Sequence, residues 1–181
     1  MLSEKKNIVT FKEKSLTLVG PDVKVGDTAP KSIVVDENLS LVSLADRSST
    51  LVRLFIIVAS VDTKTCSTEV KKFSHLLKDI DFFVEAYLIS ADLPFTQRRW
   101  CSSEGIENIK MFSDYRSLNF TRSWGLLVKE LQLPARAVYV LGKNDEVLYR
   151  EIVPEITSEP NYEAVIEFIK IVVNKTKIEG S

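Results

Sequence analysis

Histidine occurs once and cysteine twice in this chain of 181 residues. A four-ligand zinc site would then need Asp or Glu in most places, so a mononuclear zinc centre is hard to furnish. Glycine and proline number six each, which excludes collagen-like and low-complexity sequences. No apolar run reaches the ~18 residues of a membrane-spanning helix. Charge of one sign is missing too: 24 Lys and Arg stand against 25 Asp and Glu, for a net charge of −1. Such a chain has no electrostatic reason to seek nucleic acid or an anionic membrane. The N-terminus MLSEKKNIVTFKEK carries charge on both sides of a short apolar stretch. It lacks the apolar core and small-residue site of a secretory signal, so a reducing cytosol is the expected compartment.

What is present is an ordinary globular composition, 45% hydrophobic and 27% charged. The length suits one domain over 1–181, which buries roughly 70% of its unfolded surface without a staple. Asn7–Phe11 and Ser15–Val19 read as a β-hairpin, and Ser32–Val35 and Leu39–Leu44 as short strands. Leu51–Ala59, LVRLFIIVA, is apolar with little alternation, as in a strand buried on both faces. Cys66–Asp79 has helical spacing, with Val70, Phe73 and Leu77 on one face. Phe82–Ile89 and Ile109–Phe112 read as strands, and Pro94–Ser102 and Arg116–Trp124 as helices. Ala135–Leu141 and Glu146–Ile152 form a second hairpin, and Tyr162–Val173 an amphipathic closing helix. The order implies an α/β fold with a central mixed sheet flanked by helices and an N-terminal hairpin. With a helix opening at a cysteine, this resembles, by analogy, the thioredoxin-like arrangement.

Cys66 follows a polar turn and opens a helix, where unpaired N–H groups and the positive end of the dipole favour a thiolate. A small buried helix residue is the competing reading. Cys101 comes 35 residues later in FTQRRWC, and no CxxC motif exists, so the two thiols meet only through tertiary structure. His75 lies nine residues beyond Cys66 on the same helix, roughly 13.5 Å of rise, too far to be its base. A solvated surface position is expected for it.

The stretch SVDTKTC, Ser60–Cys66, resembles the peroxidatic loop of peroxiredoxins, Pro-x-x-x-Thr-x-x-Cys, here Ala59-x-x-x-Thr63-x-x-Cys66. VTFKEKSLTLVG, KVGDTAP, ISADLPFTQRRWC, PARAVYVL and VPEITSEPNY resemble, in order, the bacterial thiol peroxidases of the atypical 2-Cys type. The resemblance implies a homodimer that reduces hydrogen peroxide and organic hydroperoxides without metal or organic cofactor. It also implies that thioredoxin recycles an intrachain disulfide. Cys66 matches the peroxidatic cysteine and Cys101 the resolving one. Thr63 matches the threonine that contacts the thiolate and orients the peroxide, and Arg136 the arginine that holds the reacting oxygens. The sequence departs at Ala59, where the family usually has Pro, and Gly125–Arg136 is shorter than usual. A peroxide-sensing or thiol-regulated binding protein using the same cysteine pair, without high turnover, is the alternative function.

Overall fold

The computed structural model describes residues 3–44, 52–80 and 84–179. The chain opens with strands β1, Glu4–Phe11, and β2, Lys14–Val19, paired antiparallel as the hairpin pattern implies. Their turn places Lys12 and Glu13 at positive φ, 48° and 67°, without a glycine. The Glu155 carboxylate compensates by accepting both of their N–H groups at 3.2 Å. Thr10 is bound to the same segment, its N–H donating to Pro154 O at 2.6 Å and its O accepting from Ile156 N at 3.0 Å. The hairpin is thereby fastened to the segment before the last helix.

Strands β3, Ile33–Val35, and β4, Leu41–Ser43, follow, then β5, Val52–Ile57. Every residue of β5 is buried. Val52, Leu54 and Ile56 pack on one face, and Phe55 and Ile57 on the other, which is why the sequence shows no alternation there. Arg53 is the exception in the run. Its guanidinium donates to Leu44 O (3.0 Å) and Gly142 O (3.3 Å) and pairs with Asp145. Leu51, Phe82 and Phe83, at the edges of two expected strands, lie outside the described residues.

Helix α1 spans Lys64–Leu77, starting two residues earlier than the sequence suggests. Then come β6, Val84–Ser90, α2, Pro94–Glu104, and β7, Ile109–Ser113. Proline at its first position and Gly105 at φ 64° past its end bound α2. Helix α3 is shorter than expected, Asn119–Ser123. The Asp114 carboxylate sets its start by accepting Phe120 N (3.0 Å) and Thr121 N (2.8 Å). Strands β8, Leu127–Val128, and β9, Leu133–Pro134, were not expected. Strands β10, Ala137–Leu141, and β11, Val147–Ile152, form the second hairpin, and α4, Tyr162–Glu179, closes the chain.

The large sheet has the order β11-β10-β5-β6-β7-β3-β4. Strands β5, β6 and β7 are parallel, and the outer pairings are antiparallel. Helices α1 and α4 cover one face through Val70, Phe73, Val165 and Ile169. On the other face Phe55, Tyr87, Phe120, Trp124 and Tyr139 form a continuous aromatic cluster. A smaller sheet, β1-β2-β8-β9, stands beside it. The mixed sheet, flanking helices and N-terminal hairpin are those expected.

Candidate active site

Cys66 is the third residue of α1 and is only 2% exposed. Thr63 is the N-cap in extended backbone, and the helical ladder begins with Ser67 N donating to Thr63 O at 2.9 Å. The N–H groups of Lys64, Thr65 and Cys66 therefore lack an intrahelical acceptor and concentrate the positive end of the dipole beside the sulfur. The Thr63 hydroxyl donates to Ser60 O (3.2 Å), within the turn and not to the sulfur.

Arg136 reaches this turn from the residue just before β10. Its Nη2 lies 3.3 Å from Cys66 Sγ and its Nη1 pairs with Glu69. Nε and Nη2 each donate to Ile156 O at 3.1 Å. The guanidinium is thus pinned on three sides with one edge aimed at sulfur. Burial works against its charge, but Glu69 and Cys66 outweigh that and keep it cationic.

Glu69, one helical turn after Cys66, was not singled out in the sequence. It is wholly buried, and its Oε1 has no hydrogen-bond partner among the described residues. Burial pushes its carboxyl up to about 7, against the pull of Arg136. The available signal was an acid at i+3 from the cysteine, on the stripe that carries Val70 and Phe73.

A cavity of about 340 Å³ opens over these groups. Thr63, Lys64, Thr65, Cys66, Arg136 and Thr157 line its polar side; Phe11, Leu131, Leu133 and Ile156 belong to an apolar wall. Phe11 comes from the hairpin and Leu133 from β9, so the small sheet exists partly to build this wall. A larger groove of about 660 Å³ between α1 and the start of α4 holds His75, exposed as expected, but no cysteine. The arrangement suits a buried cysteine nucleophile facing a small, largely apolar substrate, with a fixed cation at hand.

Cys101 lies elsewhere. It is the eighth residue of α2, partly exposed, lining a separate cavity of about 400 Å³ with Glu37, Arg98 and Met111. Its Sγ donates to Ile106 O at 2.8 Å. Burial, then Glu37 and Glu107, pushes the thiol up, so Cys101 is held protonated. Both cysteines are free. The structure therefore brings Cys66, Thr63 and Arg136 to one cavity and leaves Cys101 outside it.

The redoxin family matches residues 24–166. A thiol peroxidase of Listeria innocua serovar 6a is 46% identical over 162 residues, 90% of this chain and 97% of its own. A thiol peroxidase of Bacillus subtilis strain 168 is 42% identical over 165 residues, 91% and 98% of the two chains. Among solved structures, a peroxiredoxin-like protein from Aquifex aeolicus superposes with a TM-score of 0.85 at 36% identity, covering 94% of this chain and 98% of that one. Identity of this extent, along nearly the whole of both chains, makes the chain a member of the redoxin family and, within it, of the thiol peroxidases.

Proposed function

We propose that the protein reduces hydroperoxides, with Cys66 as peroxidatic and Cys101 as resolving cysteine. The observation that carries this is Arg136 Nη2 at 3.3 Å from Cys66 Sγ, at the foot of the cavity. The Cys66 thiolate attacks the terminal oxygen of ROOH. The O–O bond breaks, RO departs with the electron pair and takes a proton, and the sulfur is left as a sulfenic acid. Charge develops on the departing oxygen. Donors already fixed in place, the Arg136 edge and the free N–H groups of the α1 first turn, stabilise it without reorganising. Thr63 orients the peroxide from the cavity rim. The Cys101 thiol then condenses with the sulfenic acid, forming the disulfide and releasing water.

A protein dithiol of the thioredoxin type returns both sulfurs to thiols by exchange, and a reducing cytosol supplies it. The working unit is a homodimer. Leu93 before α2, Phe95 in its first turn and Tyr115 after β7 are exposed apolar surface available for it. Thioredoxin-coupled turnover tests the reading. The apolar wall leads us to expect a higher kcat/KM for cumene hydroperoxide than for hydrogen peroxide. Oxidation of the pair without sustained turnover would favour a peroxide sensor instead.

A further inference from the structure

The second half of this reaction asks the two cysteines to leave their places. A disulfide needs Cα atoms within ~7 Å. Here each cysteine sits inside a helix with its sulfur on a different partner, Arg136 for Cys66 and the Ile106 carbonyl for Cys101. What holds the two segments closed before that step is visible in the loop between β6 and α2.

Asp92 sits there with both carboxylate oxygens engaged. Oδ1 accepts from Ser60 Oγ at 2.6 Å. Oδ2 accepts from Val61 N at 2.8 Å and from Ser90 Oγ at 2.6 Å. Ser60 and Val61 belong to the turn leading into Cys66. On the other side, Ser90 Oγ accepts from Gln97 Nε2 at 2.9 Å, and Gln97 lies one turn before Cys101 on α2. Gln97 is itself buried and also donates to Phe112 O at 2.8 Å. The Asp92 carbonyl accepts from Ser113 Oγ at the end of β7. A chain of hydrogen bonds thus runs Ser60/Val61–Asp92–Ser90–Gln97, joining the turn that carries one cysteine to the helix that carries the other.

We propose that Asp92 is the latch of this catalytic cycle, a positioning residue that holds both cysteine segments in the closed form and sets how often they open together to form the disulfide. This rests on Cys66 and Cys101 being the reacting pair. Bonds to a charged acceptor are the strong ones, and breaking the Asp92 set is part of opening either segment. The sulfenic acid has two fates. It condenses with Cys101 with loss of water, or a second hydroperoxide oxidises it to sulfinic acid while itself becoming the alcohol. A firm latch prolongs the closed form and exposes the enzyme to the second fate.

Three proteins are compared by stopped-flow and rapid-quench mass spectrometry with hydrogen peroxide: wild type, Asp92→Ala and the size-conserving Asp92→Asn. Asp92→Ala removes all three bonds to the carboxylate, and the loss of even one charge-assisted bond shifts the opening equilibrium about ten-fold or more. The closed form remains dominant, so the rate of sulfenic acid formation stays within two-fold of wild type. Disulfide formation accelerates at least about ten-fold in Asp92→Ala and less in Asp92→Asn. The peroxide concentration giving half sulfinic acid rises in parallel. Hydrogen exchange without peroxide adds a readout independent of turnover, with amides of both 60–66 and 95–101 exchanging faster together. Unchanged or slower disulfide formation in folded variants overturns the latch, as does a first step that falls with the second, since Asp92 would then only shape the Cys66 turn. Should Asp92→Ala fail to fold, the same outcomes are decided on Asp92→Asn. A wild-type protein that forms no Cys66–Cys101 disulfide refutes the underlying cysteine assignment, an outcome distinct from either.

Discussion

Replacing Arg136 by methionine removes the group that the proposed chemistry leans on most. Methionine fills similar space without charge or donors. The change deletes the 3.3 Å bond to Cys66 Sγ, two 3.1 Å bonds to Ile156 O and the pairing with Glu69. For the reaction, the loss is one hydrogen bond to a charged group, about 1.5–3 kcal/mol. If all of it is felt in the transition state, peroxide reduction slows roughly 10- to 150-fold. For the fold, a buried charge stripped of its partner would cost about 3–5 kcal/mol. Glu69 escapes most of that, because burial already raises its carboxyl to about 7 and it can take a proton once Arg136 is gone. The stability loss should therefore fall below that range, and it should shrink further when Glu69→Gln is combined with Arg136→Met. Single-turnover peroxide consumption, followed by quenched mass spectrometry, gives the rate, and urea unfolding gives the stability. A folded Arg136→Met protein that reacts within two-fold of wild type would refute the catalytic placement of this arginine.

Glu69 gives a pH signature. A carboxyl raised to about 7 from 4.5 binds a proton that the unfolded chain has lost, so its stabilising contribution is complete below about 4.5 and disappears as pH rises through about 7. Urea midpoints of Glu69→Gln should fall less than wild type between those limits; parallel curves would assign the slope elsewhere. Glu155 works in the opposite sense. The Thr157 hydroxyl, then the Glu13 amide and the Thr10 hydroxyl, hold it down to about 2, so its contribution is present above the usual carboxylate range and is lost as pH falls through about 2. Glu155→Gln should speed hydrogen exchange at Lys12 and Glu13 at neutral pH and make little difference near pH 2. Ala59→Pro should speed sulfenic acid formation and slow disulfide formation, each within roughly five-fold, because a compatible proline stabilises the closed turn by about 0.4–1 kcal/mol. Both rates falling together would show that the backbone at 59 rejects proline.

Legibility in the sequence followed the physics of each element. The β5 run was readable because burial on both faces leaves apolar residues at every position but Arg53. Helix α1 was readable through Val70, Phe73 and Leu77, and its start was misplaced by two residues because Thr63 caps by backbone position with no side-chain signal. Helix α3 was drawn too long, since what starts it is Asp114 bonding to residues six and seven positions away, with Leu118 left-handed at φ 49°. Strands β8 and β9 have two residues each, too few to show a period, and exist because β2 offers an edge. At the site, Cys66 announced itself through local context. Arg136 was found only by resemblance, since nothing local ties it to a cysteine 70 positions away. Glu69 and the Asp92 network went unread, because an acid on a helix or in a loop reveals a buried partner only when the chain is folded around it.

The central claim is that Cys66 takes the oxygen and Cys101 resolves it, and the most direct measurement is peptide mass mapping after one equivalent of hydroperoxide, with dimedone as the sulfenic acid trap. Wild type should yield a Cys66–Cys101 disulfide. Cys101→Ser should yield the dimedone adduct on Cys66 alone and stop after one turnover, and Cys66→Ser should leave the peroxide unconsumed. A dimedone adduct on Cys101, or sustained turnover of Cys101→Ser with thioredoxin, would contradict the account.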